Sequence, residues 1–255
     1  MKKILATFIG TAVGIASVIG LSAGLGGCSR RGENELVIGY TLYAPMNYMD
    51  GGKLVGFDTE FAEIACAELG YTPVFQIIDW DNKVSELKTK QIDLIWNGMT
   101  ITDELSENIA ITDSYMENKQ VVVVKSGKAD KFTDIESVSS ASSVAVESGS
   151  AGESVIRAQN SGVTINPMQA QSDCLLEVKT GNSEIAIIDI TMARAMTGAG
   201  TDFSDLTYID VGFEGEDYGI GMRKEDTDLL AALNGLIAKY KTDGTFDALV
   251  AKYML

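Results

Sequence analysis

The chain has 255 residues, 36 acidic against 20 basic, a net charge of -16 at pH 7 and a pI near 4.3. Such a charge is repelled by phosphate backbones, which argues against nucleic acid as a partner. Histidine is absent from the sequence, which excludes Ser-His-Asp relays, Cys-His pairs and His-ligated zinc, and neither a metal nor a cofactor is expected.

Lys2 and Lys3 precede an uncharged run from Ile4 to Gly27 that ends in Leu25-Gly26-Gly27-Cys28. A basic start, an apolar middle and small residues at the end predict a secretory signal over residues 1–27. The tetrad resembles a bacterial lipobox, in which the cysteine, here Cys28, becomes the lipidated first residue of the mature protein. Residues 28–35 are short, polar and Gly-containing, which suits a tether. The run is also long enough for an uncut anchor that spans the bilayer. Either reading puts the remainder outside the cytoplasmic membrane, and its length admits two lobes.

From residue 36 strand-like and helix-like runs alternate. LVIGYTL is apolar and β-branched, and GFDTEFAEIACAELG sets Phe57, Phe61, Ile64, Ala65 and Leu69 on one helical stripe that stops at Gly70. YTPVFQIID reads as a strand, DNKVSELKTKQ as a helix with Val84 and Leu87 inward, and IDLIWNG and KQVVVVKSG as strands. This rhythm predicts a parallel sheet with helices on its faces. After the Ser-rich, charged stretch SGKADKFTDIESVSSASS the pattern restarts. VAVE is a short strand, SAGESVIRAQNSG and DCLLEVKTG are helices, and SEIAIIDIT is a strand. LTYIDVGFEGEDYGIGMRK is strand-like, and the last 31 residues give two helices broken at Gly244. A chain that builds one lobe, then another, then returns must cross between them more than once. Two crossing strands form a hinge, with ligand in the cleft. Cys66 and Cys174 then fall in different lobes and read as small buried hydrophobes, although an exported protein also admits a disulfide.

Ligands of open parallel sheets collect beyond the carboxyl ends of strands. Tyr43, after the first strand, is a candidate for stacking on a ligand, or packs at the rim near Pro45. Trp80 stands between two Asp residues as a contact residue or a core one. Asn97, Gly98, Met99 and Thr100 follow the third strand, where a glycine lets the backbone approach a ligand and the Thr hydroxyl adds a donor. Strand-Asn-Gly is also an ordinary turn. In ESGSAGES, Ser148, Gly149, Ser150 and Ala151 open a helix whose amides and dipole favour a carboxylate, or simply cap it. Asp189 ends an apolar run and needs a positive partner, met by a ligand ammonium or by Arg194, unless it caps a helix.

In this order, LVIGYTLYAPMNYMDGGKLVGFDTEFA, DWDNKVSELKTKQIDLIWNGMTITDE, SYMENKQVVVV, VAVESGSAGE, IAIIDIT and YGIGMRKEDTDLLAALNGLIAKYKTDGTFDALVAKY resemble the type II periplasmic solute-binding proteins of amino-acid ABC transporters. The resemblance implies an α/β, two-lobed Venus flytrap with lobe 1 at 36–122 and 216–255 and lobe 2 at 123–215. It implies Tyr43 and Trp80 sandwiching the ligand, and Asn97, Gly98 and Thr100 bonding it from lobe 1. Ser150 and Ala151 would hold its α-carboxylate, and Asp189 its α-ammonium.

Members that bind ordinary amino acids usually read Thr-x-Glu-Arg after the third strand, the Arg clamping the carboxylate. This chain reads Thr102-Asp103-Glu104-Leu105, losing charge-assisted hydrogen bonds of roughly 1.5–3 kcal/mol each. Another cation would then reach the cleft, from Arg157, Lys119 or Lys83, or else the ligand lacks a free α-carboxylate and presents a cation to Asp189, Tyr43 and Trp80. The implied protein is a monomeric, extracytoplasmic lipoprotein, anchored to the bacterial cell membrane and without catalytic residues. It captures an amino acid or amino-acid-like solute for an ABC permease and ATPase. The alternatives are a dehydratase-like enzyme on the same scaffold, with Glu147 as its general acid, and a sensing module without transport.

Overall fold

The computed structural model describes residue 32 and residues 34–159 and 162–254. The expected signal and Cys28 lie outside these, as does most of the expected tether. No helix among the described residues is long and apolar enough to cross a membrane.

The chain first forms β1 (Glu35–Tyr40), the hairpin β2 (Tyr48–Asp50) and β3 (Lys53–Val55), α1 (Phe57–Leu69), β4 (Thr72–Ile77), α2 (Lys83–Lys88) and β5 (Leu94–Thr100). Then come α3 (Asp103–Asn108), β6 (Ala110–Ile111), the long β7 (Met116–Lys125), α4 (Ile135–Val138), β8 (Ser143–Glu147), α5 (Ala151–Ala158) and β9 (Thr164–Met168). It closes with α6 (Gln171–Thr180), β10 (Ile185–Asp189), α7 (Ile190–Met196), β11 (Leu206–Ile209), β12 (Gly215–Met222), α8 (Thr227–Asp243) and α9 (Thr245–Tyr253).

Period-two alternation decides which way each buried strand faces. Leu36 and Ile38 of β1 and Leu94 and Trp96 of β5 join one apolar cluster with α1, α8 and α9, while Val37 and Ile95 face another with Trp80 and Leu87. In β7 the four valines split likewise: Val121 and Val123 enter the first cluster, Val122 and Val124 a third with Val144, Val146, Ile185 and Ile187. The centre of the first cluster is Phe61. Its ring lies edge-on 4.7 Å from Trp96 and 4.9 Å from Phe246, with Tyr115 and Tyr240 within 6 Å. α1 stops where expected, Tyr71 donating back to the Cys66 carbonyl beyond Gly70. Cys66 and Cys174 are both free and buried.

The strands run in the order β4-β1-β5-β12-β7-β10-β8-β9. β1 pairs in parallel with β4 and β5, and β8 with β9 and β10. β12 lies antiparallel to β5 and β7, and β7 antiparallel to β10 and β11. The sheet is therefore mixed, which corrects the expectation of a purely parallel one: β7 and β12 carry the chain out and back, so they oppose their neighbours. Together these strands form a curled α/β sheet of two lobes. β7 belongs to both, pairing with β12 through Met116–Lys119 and with β10 from Gln120 onward.

Phe61→Ala is expected to lower unfolding free energy by about 3–5 kcal/mol, read from guanidinium denaturation. A loss below about 1 kcal/mol would contradict the central packing role given to this ring.

Candidate functional site

A cavity of about 400 Å³ opens between the two lobes, a size suited to a small solute. From β5 and its flanks come Trp80, Asn97, Gly98, Met99, Thr100 and Leu105; from the facing side come Ser150, Ala151 and Asp189. Nine of the ten expected ligand-binding positions thus line one cavity.

Tyr43 is the exception. Its ring is 2% exposed in the core, and its hydroxyl pairs with that of Tyr218 at 2.6 Å. It stands behind Gly98, where a Cβ would come within 2.6 Å of the ring, so Tyr43 supports the wall and does not face Trp80 across a ligand. Gly98, at φ 55, occupies a conformation that side chains resist. Its amide donates to Asp58 Oδ2 at 2.7 Å at an irregularity in β5·β12 pairing. Burial pushes the Asp58 carboxyl up to about 7, against the Gly98 amide, the Tyr115 hydroxyl and Trp96, which favour its charged form.

Asn97 is expected to hydrogen-bond the ligand, and its side chain is committed to the fold. Its Oδ1 accepts from the Thr41 amide and hydroxyl, and its Nδ2 donates to the Thr41 carbonyl and to Asn47 Oδ1. This leaves its backbone for the cavity. At α5, Ser150 Oγ caps the Glu153 amide at 3.1 Å, and the Gly149 amide donates to Glu153 Oε2. Helix geometry leaves the first-turn amides of Ala151 and Gly152 for an incoming acceptor.

Asp189 does not bond Arg194; amides surround it instead. Asn118 Nδ2 and Gln120 Nε2 each donate to its Oδ1 at 2.6 Å, Gln171 Nε2 donates to its Oδ2, and the Asp189 amide donates to Gln171 Oε1. The same Asn118 and Gln120 amides reach Glu216 Oε1 at 2.5 and 2.8 Å. Burial, with the Asp189 charge second, pushes Glu216 up to about 8. Sequence reasoning named neither Glu216 nor its amide partners, since nothing in a local motif shows that β7 and β12 are neighbours.

Of the three expected cations, Lys83 is the one on the cavity wall. Arg157 forms an exposed pair with Glu153, and Lys119 pairs with Asp210. The Lys83 ammonium stands 4.8 Å from the Trp80 ring centre and donates to the carbonyls of Trp80 at 3.1 Å and Gly149 at 2.8 Å. Burial lowers its pKa, opposed by Glu147, Asp81, Glu104 and Asp79. The second of these bonds joins α2 to the loop before α5. There Gly149, at φ 70, sits so close that a Cβ would lie 2.7 Å from Asp81 Cα. Leu105 lines the cavity and packs beside Trp80 and Ile109; the Thr102 hydroxyl caps its amide. It turns a would-be carboxylate clamp into apolar wall.

The family model for bacterial extracellular solute-binding proteins, family 3, matches residues 36–255. The chain is similar to the arginine-binding extracellular protein ArtP of Bacillus subtilis (strain 168), 27% identical over 257 residues, which cover 99% of this chain and 98% of that one. It is similar also to the histidine-binding periplasmic protein of Escherichia coli (strain K12), 30% identical over 220 residues, 83% of this chain and 84% of that one. Among solved structures, a mutant of ArgBP from T. maritima matches with TM-score 0.79 and 31% identity over 87% of this chain and 95% of that chain.

A methyl group at Gly149 meets backbone, and the left-handed conformation costs a side-chain-bearing residue about 1–2 kcal/mol. Gly149→Ala is therefore expected to part the two walls, raising hydrogen exchange at 80–83 and 149–152 by roughly tenfold; unchanged exchange would refute the close seam. Asp58, Glu147 and Glu216 are raised from model-peptide values of 3.8, 4.5 and 4.5 to about 7, 8 and 8. The folded state thus holds protons that the unfolded chain releases, so their stabilisation is present below about pH 4 and lost as pH rises to about 8. The denaturation midpoint of ligand-free protein is expected to fall between pH 5 and pH 8; a rise across that window would contradict the burial of these groups.

Proposed function

The chain belongs to the bacterial extracellular solute-binding proteins, family 3, and from this membership we propose that it captures an amino acid or amino-acid-like solute between its lobes and delivers it to the permease and ATPase of an ABC importer. The observation that carries the reading is the meeting of Asp189, the α5 N-terminus, Trp80 and Lys83 on one inter-lobe cavity. An α-ammonium adds donors where Asp189 already gathers them. An α-carboxylate fits the Ala151 and Gly152 amides, with the Lys83 ammonium in place of the guanidinium that Leu105 displaces. The relatives named for arginine and histidine support an amino acid as the solute.

The lobes would divide at 36–122 with 216–255 and at 123–215, so both boundaries fall at the crossing strands. In this proposal residues 1–27 are removed, and Cys28 carries the lipid that holds a monomer to the outer face of the bacterial cell membrane through residues 28–35. The solute leaves unchanged and no cofactor takes part. A second reading, a dehydratase-like enzyme, draws on Glu147, whose buried carboxyl in the cleft suits a general acid; mass-spectrometric detection of a dehydrated product would favour it.

Calorimetry of the mature protein against the proteinogenic L-amino acids is expected to give at least one Kd of about 1 μM or tighter, near −8 kcal/mol. Asp189→Ala is expected to weaken that binding roughly 100-fold by removing one partner of a buried charge pair, and Leu105→Arg to tighten it by adding the missing clamp. Absence of binding by every amino acid, with Asp189→Ala behaving as wild type, would overturn the proposal.

A further inference from the structure

Glu147 is a buried cavity carboxylate that the receptor reading leaves without a role. It ends β8 on the cavity wall, is 3% exposed, and its Oε1 has no hydrogen-bond partner. Lys83 directs two of its three N–H bonds at the carbonyls of Trp80 and Gly149, and Gln171 reaches Asp189 as well. A buried carboxyl oxygen left bare is costly, and two things relieve it: a proton on the group, or a cation brought to it. The remaining charges on the wall are Asp81, Glu104 and Asp189 against Lys83, so the cavity carries an excess of negative charge. An amino acid with a neutral side chain brings one ammonium to Asp189 and leaves Glu147 as it was.

Resting on the receptor function proposed above, we infer that Glu147 determines specificity by holding a second cationic group, so that the cleft takes a small solute with two cationic centres, an ammonium at Asp189 and an ammonium or guanidinium at Glu147. The geometry fits such a solute because both carboxylates end apolar strands of the same lobe and both accept from Gln171, which makes them neighbours. Leu105, which removes a cation from the opposite wall, keeps that wall from competing with the solute.

Burial, reinforced by Asp189, pushes the Glu147 carboxyl up to about 8, against the Thr41 and Gln171 hydrogen bonds and the Lys83 charge. The other titratable group facing it is the Cys174 thiol of α6, itself pushed upward by burial and then by Glu147. The ligand-free group therefore carries a proton at neutral pH. A cationic group that pairs with the carboxylate displaces that proton to solvent, so affinity for a dication rises as pH approaches 8.

L-arginine and L-ornithine, each dicationic, and L-glutamine, which has one cationic centre, are the probes for calorimetry on the mature protein. Wild type is expected to bind the tighter of the two dications at least about 30-fold better than glutamine. In buffers of different ionisation enthalpy at pH 7, its heat should report about one proton released. Glu147→Gln copies the size and donor of the protonated carboxyl, and its thermal midpoint at pH 6 should match wild type. In this variant the preference should fall to within about threefold and the proton release should vanish. Glutamine bound as tightly as both dications, or a preference and proton release that survive Glu147→Gln, would overturn the inference and leave the receptor function standing. Failure of every amino acid to bind would overturn both.

Discussion

Everything at the cleft depends on β7 being shared. Two of its side chains, Asn118 and Gln120, hold Asp189 on one side and Glu216 on the other with the same pair of amide nitrogens. In register, Glu216 of β12 stands opposite Asn118, and Asp189 of β10 opposite Gln120. The Asp189 carboxylate is thus held by side chains of β7 that also hold Glu216 of β12, so a shift between those two strands disturbs the donors around it. Because two amides supply the donors, the bracket needs no buried cation of its own, which leaves Asp189 to meet one from outside.

That arrangement explains the electrostatic character of the cavity. Lys83 is the basic side chain on the wall, and two backbone carbonyls partly occupy it. Acidic groups outnumber it, and the most deeply buried of them, Glu147, is pushed toward its neutral form. In the proposed binding mode the buried Glu147 carboxyl is protonated while the cleft is empty and ionises as a cation pairs with it. The second of the two charges that would recognise the solute is then formed on binding, and the ligand-free protein does not have to stabilise it.

How far the sequence foretold this varies with the range of the interaction. Strands that alternate between two apolar faces, and helices that stop at Gly70 or Gly244, follow local periodicity and were readable. The hairpin β2–β3, the strand β9 with its Pro167, and α7 directly after Asp189 were not, since short or Pro-containing segments owe their form to packing. Motifs at strand ends gave the cavity wall almost whole, because topology forces such ends together. The resemblance implies Tyr43 and Asn97 on the ligand, whereas the Tyr43 ring and the Asn97 side chain hold the wall from behind through Tyr218 and Thr41, partners 175 and 56 residues away. Glu147 carried a readable signal: like Asp189, it is the first charge after an apolar strand run.

The seam where Gly149 rests against Asp81 has a kinetic meaning. With backbone so near backbone, a solute inside cannot pass through the seam, and departure on that side waits for the lobes to separate. In the proposed receptor, residence time would follow how often the seam opens, whereas discrimination among solutes would follow Asp189 and its neighbours. The two properties sit on different residues, so selection can lengthen or shorten the hold on a cargo without changing which cargo is held.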